Sequence, residues 1–533
     1  MLLISPSTRA ADRTKVNNTT NLNNAGSWTG GVPDLSNTAV WTNAVTGANT
    51  SLLGGDVSWQ GIRIADPGGL VTIGPGSTLT LSSGPAGISI DMSAATQSLT
   101  IQSGLTIKTA VGQLWNIASG RTLTLNTGLF TRSTGATLNV QGAGTVNATS
   151  IVNDTNGLIG TWATIGAGTT VRYATMDGSS NIIGYTSGTA AATAAGVTDT
   201  TGLVNYDLAA VGVIGTGASF NTLRYTGAAG TITGNFTANG ILTSGSGALT
   251  LSGIVTIGAS GELVLTNGDS SSARDMIFSG SIRDGARGIS SLTKAGLGNL
   301  TLSGANSYTG LTTISRGKVS LTSTGTLGST SGGTRIGLSG RLSLAGGVTT
   351  AESIWLDDVT NAFSGGLLIE NIGTNTLTGA IRISSSTRWQ SSGTLNVTGG
   401  ISTTNGNSGS SFVVQAATIM NITGKPLALG GSGTLYMDNG GKTIVLGVVG
   451  STYGANSLYA GTLQTNVANA LSTFAAINFS VNYAASSATL DLNGFDQSVG
   501  AISTGTYSIH STYDRVITSA TAATVTTGLL NTN

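Results

Sequence analysis

Cysteine is absent from the 533 residues. That excludes a disulfide framework, thiol catalysis and thiolate-bound zinc or iron–sulfur centres. Proline occurs only 6 times, so the chain is neither collagen-like nor a proline-rich linker. Charged residues make up 8% and the net charge is +1. A balance this thin gives no electrostatic hold on nucleic acid or anionic lipid. A lone histidine, His510, excludes metal motifs that need two. No run reaches the ~18 apolar residues that a membrane-spanning helix requires. Yet 39% of residues are hydrophobic and the mean hydropathy is +0.22. A disordered chain has high charge and low hydrophobicity, and this one has neither.

What is abundant is glycine, 81 residues, with serine, threonine and asparagine throughout. From about residue 57 to about residue 505 one local pattern recurs, apolar–Thr–apolar closed by Gly, Asn or Ser. Leu79-Thr80-Leu81, Leu99-Thr100-Ile101, Leu105-Thr106-Ile107, Leu123-Thr124-Leu125 and Leu138-Asn139-Val140 show it. So do Leu249-Thr250-Leu251, Val255-Thr256-Ile257, Leu300-Thr301-Leu302, Val319-Ser320-Leu321, Leu342-Ser343-Leu344, Leu395-Asn396-Val397 and Leu490-Asp491-Leu492. A period of two with one apolar face is a strand half-buried against a core. Threonine suits the outer face, being both β-prone and polar. Glycine, asparagine and serine supply the turns. The only stretch with a helical period is Thr465–Ala476, where Val467, Ala468, Ala470 and Leu471 predict one short helix.

The stutters follow each other at roughly 14 to 24 residues, the range of solenoid units. They persist without the hairpin turns or the size limit of a sandwich. A solenoid needs no domain boundary, because each coil buries its inner face on the next. Low charge fits as well: stacked coils bring equivalent positions together, where Asn, Ser and Thr ladder by hydrogen bonds and like charges repel. The expected fold is all-β, a parallel β-helix forming a single elongated rod.

The segment Leu292–Leu321 reads LTKAGLGNLTLSGANSYTGLTTISRGKVSL. Gly296 and Gly298, the strand Leu300–Leu302, the run Gly304–Gly310, Thr312–Ile314 and Gly317–Leu321 resemble the autotransporter-associated β-strand repeat, also called the passenger-associated transport repeat. Lys294 and Phe278–Ile282 match what precedes that repeat. Gly461–Ile502 resembles, more loosely, the element that follows it. Asn24–Trp41 is similar to the opening of large repeat-bearing surface proteins of Gram-negative bacteria. The resemblance implies a right-handed β-helical passenger domain, secreted to the cell surface, that acts in adhesion or aggregation and carries a repeat that aids folding and export. The residues up to Asn533 contain no translocator barrel, so membrane attachment is expected only through a barrel absent from this sequence.

The expected organisation is an export-signal remnant or disordered lead over 1–23, in which Met1–Ile4 is apolar but lacks a basic region before it. An N-terminal cap region follows at 24–60, then degenerate coils at 61–265 and repeat-bearing coils at 266–330. Further coils occupy 331–533, with the repeat-like element at 461–502.

Candidate chemistry is sparse. His510 has Ser508 and Asp514 nearby, but no nucleophile elbow, and reads as a turn residue. Asp357-Asp358 is the only adjacent acidic pair, as the acid–base or Ca²⁺ chemistry of polysaccharide-cleaving β-helices would use, but the neighbouring sequence holds no basic partner unless Arg382 and Arg388 approach from adjacent coils. A solvated turn is the simpler reading. Arg274, Arg283, Arg287 and Lys294, interleaved with Asp275 and Asp284, form either an anionic-glycan patch or charge-balanced turns. Gly441-Lys442-Thr443 lacks the earlier glycine of a phosphate loop, since position 436 is Tyr. Trp28, Trp41, Trp59, Trp115, Trp162, Trp355 and Trp389 either stack on sugars or fill coil corners, and Trp28 and Trp41 sit where a solenoid shields its first edge. No catalytic, cofactor-binding or metal residue is assigned, and no cofactor. The expected function is a surface-displayed structural or adhesive passenger rather than an enzyme. Its expected partners are host surface glycans or proteins, or other copies of the chain, with no nucleic acid. The alternatives are a polysaccharide-degrading β-helix and a trimeric tailspike-like fibre.

Overall fold

The computed structural model describes residues 12–84, 87–108, 110–126, 128–356, 367–384, 386–404, 411–415, 418–437, 442–479, 487–504 and 515–528. Among the described residues there are strands, turns and four three-residue 3-10 turns, and no α-helix. The fold is a parallel β-solenoid. The chain divides into two compact units, residues 1–319 with 337–340, and residues 320–336 with 341–533.

The first unit opens with a three-sided stack. Strands Thr38–Trp41, Gly61–Ile64, Ile88–Met92, Gly112–Ile117 and Thr137–Gly142 pair in parallel to make one sheet. Asn49–Ser51, Val71–Ile73, Leu99–Ile101, Thr122–Leu125 and Thr145–Ala148 make the second, and Val57–Trp59, Thr78–Leu81, Gly104–Ile107 and Phe130–Arg132 the third. Each strand pairs with the one three along the chain, so three strands complete a coil. The strand Arg13–Lys15 pairs with Thr38–Trp41 at the start of the first sheet. The stack closes on an antiparallel meander, Ala163–Ile165, Arg172–Met176 and Ile182–Gly184.

The apolar–Thr–apolar pattern explains the core. Leu79 and Leu81, Leu99 and Ile101, Leu105 and Ile107, and Leu123 and Leu125 are all fully buried, while the threonine between each pair is half-exposed. Identical inward positions stack coil on coil in register, Leu99 between Val71 and Leu123. At roughly 25 cal/mol per Å² of apolar surface removed from water, this repeated burial is the main force holding the coils.

From Thr189 a second stack begins within the same unit. Its strands include Asn205–Leu208, Ala218–Tyr225, Phe236–Thr243, Glu262–Asn267, Ser291–Gly296 and the start of Thr312–Leu321. Ala218–Tyr225 and Phe236–Thr243 run through a corner without breaking. At the bend Asn205, Asn221 and Asn239 point inward and form a buried ladder, Asn221 Nδ2 donating to Asn205 Oδ1 (2.9 Å) and Asn239 Nδ2 to Asn221 Oδ1 (3.0 Å). A buried amide survives in such a core only when it is paired, and stacking identical amides provides the pairing.

The two stacks of this unit lie side by side and run in opposite directions. Gly84 meets Ser339, Thr137 meets Ser315, Arg132 meets Glu262, and Asn205 meets Asn156. The start of the first stack thus lies level with the far end of the second, Gly84 by Ser339, and its close lies level with the beginning, Asn156 by Asn205.

The second unit repeats the coil logic by itself. Ile354–Leu356, Ile381–Ile383 and Ile401–Thr403 form one face, and Asn375–Leu377, the end of Thr387–Val397, Thr418–Ile422, Thr443–Leu446, Gly461–Thr465 and Ala488–Asp491 another. The helix expected over Thr465–Ala476 is absent: the residues between the strands Gly461–Thr465 and Ala476–Phe479 form a corner. Asn469 takes a left-handed φ of 53° there. Gln497 fastens the corner from the next coil, accepting from the Leu471 amide and donating to Val467 O. Tertiary pairing overrides a weak local helical period.

Candidate functional site

Three features rise above the repeating background: the segment Leu292–Leu321, the seam between the two stacks of the first unit, and the outward polar ladders.

In Leu292–Leu321 the motif residues hold coils together. Asn306, buried, accepts from the Ile282 amide (2.8 Å) and so caps a strand of the preceding coil. Tyr308 is fully buried, its hydroxyl 2.6 Å from Thr312 Oγ1. Thr309 donates through its amide and hydroxyl to Asp284 one coil back (3.0 and 2.6 Å). Gly304 and Gly310 lie where a side chain would strike backbone: an added Cβ would meet Gly280 O at 1.6 Å and Ser290 O at 2.5 Å. Gly296 and Gly317 adopt positive φ, 72° and 77°.

Lys294 is also fully buried, and its ammonium donates to the carbonyls of Ala295 (2.6 Å), Gly296 (3.0 Å) and Arg316 (3.3 Å). Burial lowers its pKa to about 7. Lys15 in the first stack is built alike, giving bonds to Val16 O, Asn18 O and Asn18 Oδ1, with a pKa lowered by burial to about 8. Lys442, set aside as a phosphate-loop residue for want of the earlier glycine, is likewise buried and donates to Val414 O at 2.9 Å. In a chain this poor in charge, these lysines tie backbone at coil corners.

The seam centres on Glu262. Its carboxylate takes both terminal nitrogens of Arg132 (2.7 and 2.8 Å), the Thr293 hydroxyl (2.5 Å) and the Gly135 amide (3.2 Å). Burial works to raise its pKa, but the Arg132 fork and the other donors outweigh this and hold it below the ordinary glutamate value. Arg132 is itself steadied over the Trp162 ring, 5.4 Å from the centroid, and Trp162 stacks on Phe130. Thr137 and Ser315 share a hydroxyl–hydroxyl bond of 3.0 Å. Backbones meet closely: a Cβ on Gly112 would lie 2.8 Å from Ser315 O, and one on Gly337 only 1.8 Å from Ala110 O.

The outward ladders follow from register. Thr50, Thr72, Thr100, Thr124 and Asn147 stand in successive rungs of the second sheet of the first stack. Ser58, Thr80, Thr106 and Thr131 do so on the third. In the second unit Thr376, Asn396 and Asn421 are joined by side-chain bonds (3.4 and 2.8 Å). Hydroxyls and amides therefore recur at the ~4.8 Å strand spacing. Also in the second unit, Arg335, Trp355 and Arg382 occupy consecutive outward rungs, with the Arg335 guanidinium 5.7 Å from the Trp355 ring centroid. Gly333 lies under that ring, where a Cβ would come within 2.0 Å.

His510, Ser508, Asp514, Asp357 and Asp358 lie outside the described residues. The basic stretch does not converge: Arg274 pairs with Asp269 (2.9 Å), Arg283 bonds Thr256, Arg287 reaches Ala259 O and Ser260 O, and Lys294 is inside. No tryptophan ring is fully exposed. Trp28, Trp41 and Trp59 meet edge to face at 5.3 and 5.7 Å, and Trp389 meets Phe412 at 4.9 Å. Sequence reasoning missed Glu262, Arg132 and Lys15, and it named Lys294 and Lys442 without foreseeing their burial. A charged residue set among apolar neighbours, as in Gly261-Glu262-Leu263, was the available signal.

A family model, passenger-associated-transport-repeat, matches residues 292–321. The chain is 31% identical over 280 residues to the adhesin BmaC autotransporter of Brucella suis biovar 1 (strain 1330), covering 48% of this chain and 8% of that protein. No solved structure matches.

Proposed function

From a chain that carries a passenger transport repeat within a β-solenoid related to an autotransporter adhesin, we propose a surface-displayed, non-catalytic adhesive passenger, held at the outer membrane by a translocator barrel. The observation that carries this reading is the set of unbroken outward ladders, Thr50–Thr72–Thr100–Thr124–Asn147 above all. They offer a long, neutral, regularly spaced array of donors and acceptors. An enzyme concentrates its polar groups in one cleft, whereas an adhesive rail spreads them. Host surface glycans and surface proteins are the ligand classes such an array recognises, through many weak bonds that add by multivalency. Near-zero net charge makes that adhesion insensitive to salt.

The test displays the full chain on a non-adherent bacterium and measures attachment to host cells and to a glycan array. Attachment that falls when Thr72, Thr100 and Thr124 are changed to alanine, with folding intact, supports the reading. No gain in attachment, or release of soluble sugars from a polysaccharide panel, overturns it.

A further inference from the structure

The seam of the first unit has two sides of different kinds. One is the stack 12–184, closed by its own meander at Ala163–Gly184. The other is built largely by the repeat-bearing coils, with Glu262, Thr293, Ser315 and Arg316. Each stack is held along its length by β-pairing between its own coils, while Leu158, Val171 and Tyr173 of the first also pack on Leu242 of the second. The two are joined only through the short segment 185–188, and no disulfide can lock them because the chain has no cysteine.

The seam is also highly selective. Arg132 must present both nitrogens to Glu262 while Gly135 offers its amide to the same carboxylate. Thr137 must reach Ser315, and Ser339 must reach Gly84 O (3.1 Å). Gly112 and Gly337 must bring backbone against backbone. Charge, hydrogen bonds and shape thus agree on one occupant for the repeat-bearing face, the stack 12–184. If the stack swings out, the face keeps a carboxylate that has lost its guanidinium, and the stack keeps the complementary arginine. Exposing that pair separately is unfavourable, and reunion with any identical stack cancels the cost.

We propose that the repeat-bearing face is a docking site that accepts the stack 12–184 from a second copy of this chain, so that copies associate by exchanging their N-terminal stacks. The same bonds form within one chain or between two, which is the condition for domain swapping. Only the short joining segment must change conformation. With a net charge of +1, little long-range repulsion opposes the approach of copies. Exchange between copies involves only the seam and is independent of what the outward ladders bind.

The test uses the full chain. A Thr137→Cys/Ser315→Cys double variant places two thiols where the hydroxyl oxygens are 3.0 Å apart. Oxidised when dilute, it is expected to give a cross-linked monomer that no longer associates on concentration, while its reduced form associates like the wild type. A second pair is independent of disulfide geometry. Arg132→Glu and Glu262→Arg each put like charges across the seam, so neither associates by exchange alone. Mixed, the Glu262→Arg face receives the Arg132→Glu stack with the charges reversed. Buried like charges repel, so the mixture is expected to hold at least about tenfold more dimer than either variant alone. A locked monomer that associates as fully as the reduced form overturns the proposal. So does a mixture no more dimeric than its components, or a wild-type chain that stays monomeric at every concentration.

Discussion

Glu262 in the first unit and Glu352 in the second are both buried carboxylates, and their surroundings push them opposite ways. Glu262 meets a guanidinium brought by another stack, which keeps it charged and its pKa below the usual 4.5. Glu352 is given a hydroxyl, Thr334 Oγ1 at 3.0 Å, and burial raises its pKa to about 7. The comparison teaches what a solenoid coil can offer a charge. A compensating cation can come from the next coil, as Arg224 does for Asp207, but Glu262 takes its cation from the other stack and Glu352 is given only a hydroxyl.

Removing that cation should have the largest effect. Arg132→Ala leaves Glu262 buried and unpaired, which is expected to cost the first unit about 3–5 kcal/mol. Urea unfolding at neutral pH reads this, and an unshifted transition would show that the seam contributes nothing. The two units should also answer pH with opposite signs. Glu262 has a depressed folded pKa, so its contribution is full above pH 4.5 and is lost as pH falls through the lower folded value. Glu352 has a raised one, so its unit is unhindered below pH 4.5 and weakens as pH rises through about 7, by on the order of 3 kcal/mol. Glu352→Gln should flatten the second dependence and leave the first unchanged, as followed by thermal unfolding across pH. A smaller effect is expected for Asn221→Ala, which leaves Asn205 and Asn239 each short of a ladder bond, at about 1–3 kcal/mol. Smallest is Thr100→Ala on the outward ladder, within about 0.5–1 kcal/mol, which would separate adhesive from structural roles on that face.

Corners offer another contrast. The first stack breaks its strands at each turn, as at Gly120 with φ 71° between Gly112–Ile117 and Thr122–Leu125. The second unit carries Thr387–Val397 and Leu427–Met437 through the bend, with Gly393 and Gly430 at positive φ. Both solutions use glycine, so its abundance signalled corners without saying which kind. The same limit explains the failed helix at Thr465–Ala476: its local period was readable, but Gln497, which fastens that corner, is a coil away.

By itself the sequence determined the coil. Alternation such as Leu99-Thr100-Ile101 decides which face is buried, because strand side chains point to opposite sides with a period of two, and every quoted pair of apolar residues is indeed inside. It also determined the transport repeat, whose glycines, Asn306 and Tyr308 act on adjacent coils close in sequence. Only the tertiary structure decided that Glu262 finds Arg132 across 130 residues, that Thr137 finds Ser315 across 178, and that one unit holds two stacks in opposite directions. The physical reason is range. Strand patterning is local, whereas docking depends on which of many similar coils come level, and that is set by the summed register of every coil between them.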